Sequence, residues 1–385
     1  MPSTLNPKPH SLHIGIDGNE ANVGKRVGSN QYAFGILWGM YQLHPENTQF
    51  TIYLKAAPLT DLPPAANWWH YRIIRPGFAW TQWRLPLDLF CSLHRPDVFF
   101  SPGHYAPRIA PMPTVVSIMD LAFLKMPQLF LKFKRGAKQL ADWTAYSVKQ
   151  ACAIIAISQH TAKDIADIYT IDQDKITVAY PGVDRQRFKM MRDKEKKSVI
   201  HKYKLPEKYI LHLGTLQPRK NIIRLIAAFE SLPPKYKAWH LVLAGQSGWL
   251  TEEIDNAIKS SKVADRIIRT GYVDEADIPA LISAAGCLVL VGLYEGFGMP
   301  PAESLACGTI PVVSNNTSLP EVVGEAGIIV DPYSIASIAH GIMVTLDLKI
   351  TQKQQRLAIG QTQLEQFEWQ RSAQRILNVL RKVGA

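Results

Sequence analysis

Apolar residues fall in short runs along the chain, each followed by a segment long enough for a helix. In the first half the runs are Leu12–Ile16, Phe50–Leu54, Tyr71–Arg75, Asp97–Ser101, Thr114–Ile118, Ala153–Ile157 and Ile176–Ala179. In the second half they are Tyr209–Gly214, Trp239–Ala244, Arg266–Gly271, Cys287–Val291, Ile310–Val313 and Gly327–Val330. Many are near-continuously apolar, which is how strands covered on both faces of a parallel sheet read. Strands alternating with helical segments predict doubly wound α/β sheets, and there are enough strands for two. A chain of 385 residues also exceeds what one core usually serves, so two domains are expected.

The boundary is expected between Pro181-Gly182 and Pro206. That divides the chain into a first domain over 1–184, a basic linker with a surface helix over 185–208, and a second domain over 209–365. Residues 366–385 read as a terminal helix, with Ile376, Val379 and Leu380 near helical spacing. Arg381 and Lys382 sit in its last turn, as the helix dipole prefers.

Composition narrows the class. Hydrophobic residues make up 47% and charged residues 19%, which excludes a disordered chain or a coiled coil. No run approaches the roughly 18 apolar residues of a membrane span, and the first ten residues do not read as a signal peptide. Cys91, Cys152, Cys287 and Cys307 lie far apart without a CxxC pair, so neither disulfides nor a zinc site is expected. A cytoplasmic protein fits, with peripheral contact at the inner membrane face as an extension of that reading.

The charge is uneven. Residues 1–190 carry 20 lysines and arginines against 13 acids, residues 191–208 carry 7 against 3, and residues 209–385 carry 16 against 16. Nucleic acid, an anionic membrane surface and a phosphorylated substrate are all compatible with the basic first half. No nucleic-acid-binding motif accompanies the charge, so a nucleic-acid partner is not expected.

Three strand-to-helix turns carry candidate chemistry. The first is Glu295-Gly-Phe-Gly-Met-Pro-Pro-Ala-Glu303, directly after the predicted strand Cys287–Val291 and thus at the edge where open α/β sheets bind ligands. Pro300 and Pro301 suit a helix start, and Glu303 is expected in its first turn. The backbone N–H groups of Phe297, Gly298 and Met299 then form an anion site. Carboxylates beside such a site suit polyol hydroxyls, which they accept in pairs. The second turn is Gly214-Thr-Leu-Gln-Pro-Arg219-Lys220-Asn221, where a rigid guanidinium and a mobile ammonium suit a diphosphate. Third, Gly18–Asn30 nearly mimics a P-loop, but its glycine spacing and Arg26 break the pattern. What remains is a turn able to meet a phosphate, with Gly28 at the expected helix start.

Together these features resemble the family-4 retaining glycosyltransferases of the GT-B fold, over nearly the whole chain from Ile14 to about Lys382. Further matches are Ile157-Ser158-Gln-His-Thr161-Ala-Lys-Asp164-Ile165, Tyr180-Pro-Gly-Val-Asp184, Leu243-Ala-Gly245, Gly271-Tyr-Val273, Pro301-Ala-Glu303-Ser-Leu-Ala-Cys-Gly308, Leu319-Pro-Glu321-Val and Phe367-Glu-Trp369. The resemblance implies two Rossmann-like domains facing across a cleft, with the last helix crossing back onto the first. It also implies roles: Glu295 on sugar hydroxyls, Glu303 on the ribose diol, Arg219 and Lys220 on the diphosphate, and Tyr272–Val273 at the base. Two positions depart from the family. Gly292 replaces a serine, and Met119-Asp120-Leu121 stands where many members have His-Asp-Leu. Methionine cannot donate the hydrogen bond that the histidine makes near the reaction centre. Either the role is dispensable, or His104 in Ser101-Pro-Gly-His-Tyr takes it. Asp120 either orients the acceptor or caps the next segment.

Two surface features stay open. Leu129–Lys138 combines Phe130 and Phe133 with Lys132, Lys134, Arg135 and Lys138, fitting either a membrane-facing or a solvated helix. Trp68, Trp69, Trp80 and Trp83 form either core or an acceptor platform.

The expected reaction is retaining hexosyl transfer from a nucleoside-diphosphate sugar to a glycan or lipid-linked acceptor. Mannose is the first guess for the sugar, and the donor base is GDP or UDP. Arg219, Lys220 and the helix N-terminus would stabilise the departing diphosphate. No metal or cofactor is expected. The rival readings are a nucleotide-sugar-binding protein without transfer, and a GT-B sugar-nucleotide epimerase.

Overall fold

In the computed structural model, residues 11–248 and 251–385 are described, and the side chains of residues 131–135 lie outside that description. All thirteen apolar runs are strands. They are β1 (Leu12–Asp17), β2 (Thr48–Leu54), β3 (Trp69–Ile73), β4 (Val98–Ser101), β5 (Thr114–Ile118), β6 (Ala153–Ala156), β7 (Ile176–Val178), β8 (Tyr209–Leu213), β9 (His240–Ala244), β10 (Ile267–Gly271), β11 (Cys287–Leu290), β12 (Pro311–Ser314) and β13 (Ile328–Val330).

They form two parallel sheets, with orders β3-β2-β1-β4-β5-β6-β7 and β10-β9-β8-β11-β12-β13. Both follow the Rossmann order, which reverses direction beside the first strand of the sheet. The reversal lies between β1 and β4 in one sheet and between β8 and β11 in the other. Every residue of β4, β5, β6, β8, β11 and β12 is buried, which accounts for their continuous apolar sequence.

The largest boundary error is in β3, expected at Tyr71–Arg75 and found two residues earlier. Its start is set by Trp69, which is fully buried and pairs with Phe50. The tryptophans divide accordingly. Trp69 and Trp80 are core, Trp68 stacks on Tyr41 at 4.9 Å, and Trp83 is exposed.

Among the described residues two compact units emerge, residues 11–121, 135–182 and 368–385 in one, and residues 122–134 and 183–367 in the other. Residues 185–208, expected as a linker, are instead part of the second unit. Arg187 donates to the Glu275 carbonyl at 2.6 Å, and Lys202 pairs with Asp274 at 2.7 Å and Asp277 at 2.6 Å. Local sequence showed the basic residues but not the acids that await them 72 to 88 positions later.

The terminal helix, Trp369–Gly384, packs in the first unit against the helix Gly28–Leu43. It buries Ala373, Ile376, Leu377 and Leu380. Close packing there depends on missing side chains: a Cβ at Gly35 would sit 2.4 Å from the Trp369 ring, and one at Gly39 would sit 2.7 Å from the Trp369 carbonyl.

Candidate active site

The second sheet reverses order between β8 and β11, and the loops leaving these two strands meet there. Beside them the turn after β9 packs tightly on the turn after β8 because residue 245 is glycine at φ 142°; any Cβ there would lie 2.1 Å from the Gly214 carbonyl oxygen. Asn221, buried and left-handed at φ 61°, joins the loops by donating to Val291 O at 3.0 Å and Pro332 O at 2.7 Å. A third turn, after β12, braces the second. Ser314 donates to Gly292 O at 2.7 Å, Asn316 to Leu293 O at 2.9 Å, and Ser318 to Glu295 O and Phe297 O, both at 2.9 Å.

This scaffold brings Arg219, Lys220 and Glu295 together. Lys220 Nζ lies 2.7 Å and 3.0 Å from the two Glu295 carboxylate oxygens, and Arg219 Nη1 lies 3.0 Å from one of them. Arg219 Nη1 also donates to Tyr294 O at 2.5 Å, which fixes the guanidinium against the loop. Burial pushes the Glu295 carboxyl up, but the two cations outweigh it and hold the group below its usual range. Two cations thus converge on one carboxylate in a largely buried setting. Beneath them His212 donates from Nδ1 to Val289 O at 3.1 Å; burial, aided by Lys220, depresses its pKa to about 4 and keeps it neutral.

Gly298, at φ 98°, caps the helix Met299–Ala306. The Phe297 ring turns inward against Phe367 at 5.1 Å. Glu303 lies in the second turn, not the first as expected, because the helix begins at Met299. Burial raises its carboxyl to about 7, with Arg187 opposing and Glu275 adding to the rise. At the end of β10, Tyr272 is exposed and Val273 buried.

The first sheet has its own reversal, between β1 and β4, and a cavity of about 420 Å³ opens there. Its lining includes Asp17, Glu20, Lys55 and His104, with Trp80 and Trp143 among the walls. Burial raises Asp17 to about 6, offset in part by hydrogen bonds from Asn19 N at 3.0 Å and Asn19 Nδ2 at 2.8 Å. Glu20 is also raised by burial, with Lys55 opposing. His104 is lowered by burial, and the nearby Asp120 opposes that shift, so these two expected residues are neighbours. Met119 is buried. Gly28 is exposed, and a Cβ there would meet nothing within 4 Å, so no internal packing demands glycine. Arg26, which broke the P-loop pattern, forks onto Asp61 at 2.6 Å and 3.0 Å.

Sequence reasoning missed the brace Ser314–Ser318 and the carboxylates Asp17 and Glu20. The available signals were a polar run between a strand and a helix, and an acid ending the first strand.

A family model for glycosyl transferases group 1 matches residues 193–361, and one for Glycosyltransferase Family 4 matches residues 48–187. O-antigen chain mannosyltransferase B of Escherichia coli is 29% identical over 283 residues, 73% of either chain. The serotype-specific mannosyltransferase WbdA of Escherichia coli is 32% identical over 196 residues, 49% of this chain and 24% of that longer protein. Among solved structures, sucrose-phosphate synthase from Thermosynechococcus elongatus superposes with a TM-score of 0.75 at 15% identity, covering 96% of this chain and 98% of that one. Anabaena Alr3699/HepE in complex with UDP and glucose gives 0.72 at 19% identity, covering 97% and 100%. The chain is a glycosyltransferase of the GT-B fold.

Proposed function

For this GT-B glycosyltransferase we propose retaining transfer of a hexose, mannose first among candidates, from a nucleoside-diphosphate sugar to a glycan or lipid-linked acceptor. The observation that carries the reading is the buried Arg219–Lys220–Glu295 cluster at the second sheet's reversal. An arriving diphosphate accepts further charge-assisted hydrogen bonds from Arg219 and Lys220, which keep their hold on Glu295, and the Met299–Ala306 helix N-terminus adds backbone donors. Glu295, held ionised, accepts from sugar hydroxyls, and Glu303 accepts from the ribose diol. Tyr272 and Val273 meet the base.

Because Glu295 is tied to two cations, it is a poor nucleophile. That favours front-face attack, with the leaving phosphate taking the acceptor's proton while the two cations stabilise the departing charge. Asp120 and His104 belong to the acceptor side, and His104 stands in for the histidine that Met119 replaces. The mannose assignment is supported by the two mannosyltransferases above. The reaction runs at the cytoplasmic face of a membrane, with no nucleic-acid partner.

A thermal-shift panel of UDP, GDP, ADP and their sugar conjugates tests the donor. The right nucleotide at 100 times its dissociation constant adds roughly 2.7 kcal/mol of stability. Product NMR then reads the anomeric configuration; inversion, or epimerised donor without transfer, would sink the proposal.

A further inference from the structure

A ridge of apolar side chains stands exposed on the first unit, along residues 73–93. Trp83, Leu87 and Phe90 are spaced by four and three on the helical stretch Trp80–Cys91, so they share a face. The opposite face carries Trp80, Leu85 and Leu89 into a core with Tyr53, Ile74 and Phe99. Phe78, 89% exposed, and Leu93, 96% exposed, extend the ridge at its ends. Such a row of exposed large side chains marks an interaction surface.

Arginines rim it. Arg84 Nε donates to Arg75 O at 2.6 Å, Arg95 Nη2 to Phe90 O at 2.6 Å, and Arg108 N to Thr81 O at 3.3 Å. The side chains of Arg84 and Arg95 are thus held beside the helix, while Arg75 and Arg108, both exposed, meet this segment through their backbone. Arg72 is spoken for, since it forks onto Asp88 at 2.7 Å and 2.8 Å. Aromatic and aliphatic knobs among arginines match the boundary between acyl chains and anionic headgroups.

We infer that this face docks on an anionic lipid bilayer. The contact is peripheral: among the described residues no helix is long and apolar enough to cross a membrane. The same segment walls the first-domain cavity, through Gly77, Ala79, Trp80, Thr81 and Gln82. Docking therefore brings that cavity to headgroup level, where a lipid-linked acceptor presents its sugar; this last step rests on the proposed transferase reading, whereas the docking does not. The surface is separate in sequence from Lys132, Lys134 and Arg135.

The test is co-sedimentation of the full chain with phosphatidylcholine vesicles, with and without phosphatidylglycerol. The wild type should sediment with the anionic vesicles, and Phe78→Ser/Trp83→Ser/Leu93→Ser should lower partitioning at least about tenfold. Its circular dichroism and nucleotide thermal shift should not change. Lys132→Gln/Lys134→Gln/Arg135→Gln should do less. Equal partitioning of wild type and the ridge variant overturns the inference, as does a loss confined to the lysine–arginine variant. A wild-type dimer in light scattering that the ridge variant makes monomeric also overturns it, assigning the ridge to a second copy. Vesicle binding without any nucleotide thermal shift would leave the docking surface standing and remove the transferase reading.

Discussion

The chain builds the same strand order twice and places opposite electrostatics at the two points of reversal. Between β8 and β11, Arg219 and Lys220 surround one ionised carboxylate. Between β1 and β4, Asp17 and Glu20 share a cavity with Lys55 and His104, and both carboxyls are raised by burial. Fold alone therefore does not decide what a Rossmann crevice binds; the side chains on two loops do. The cationic point suits a diphosphate. The acidic one, walled by tryptophans, suits neutral hydroxyl-rich sugar. Under the proposed function, that contrast assigns the donor to the second domain and the acceptor to the first.

The hardest test of the contrast removes its cations. Arg219→Ala/Lys220→Ala should cut kcat/KM at least about a thousandfold, because transition-state charge loses its stabilisers. It should also destabilise the fold by about 3–5 kcal/mol in urea melts, since Glu295 is left buried and unpaired. Adding Glu295→Gln should recover much of the stability and none of the activity. Recovery of activity would overturn the assigned roles.

Next in size is the pH response of the donor site. Burial raises the Glu303 carboxyl to about 7, and under the proposed function a ribose diol donates to its ionised form. Nucleotide affinity should therefore fall about tenfold per pH unit as pH drops below that value. Calorimetry on Glu303→Gln should show weaker binding with the slope gone; a slope that persists places the titrating group elsewhere.

The acidic point should respond in the opposite sense. Asp17 has a folded pKa of about 6 against an ordinary 3.8, so ionising it opposes folding, and stability declines as pH rises between those values. Asp17→Asn should thus stabilise the chain by about 1–2 kcal/mol above that window while raising the acceptor KM. Destabilisation at neutral pH would show that the carboxylate is held by partners rather than strained by burial.

Smallest is the exchange at the missing histidine. His104→Ala should lower turnover by about tenfold, within the range of a single acid–base or polar contact. Met119→His should change it little. A gain from Met119→His would mean that the role was lost rather than moved.

All thirteen strands were legible as apolar runs, most plainly the six whose every residue is buried, because burial on both faces writes itself into consecutive residues. Glu295 and Glu303 were legible as well, since a strand, a glycine turn and a proline-led helix follow each other within a dozen positions. Local chemistry suffices where neighbours in sequence are neighbours in space.

The rest depends on residues distant along the chain. Nothing near position 219 announces that its guanidinium meets a carboxylate at 295, or that Lys220 joins it there. The basic stretch 185–208 looked like a linker until Glu275, Asp274 and Asp277 supplied its partners. Asp17 is an ordinary acid at a strand end until loops from residues 77–82 and 102–105 wall it in and raise its pKa. Trp83, open in the sequence between core and an acceptor platform, stands exposed beside Leu87 and Phe90, because the packing of Trp80, Leu85 and Leu89 turns that face outward. Periodicity records which residues leave water; only the assembled chain determines which charges and which apolar faces then meet, because those energies depend on distance through space.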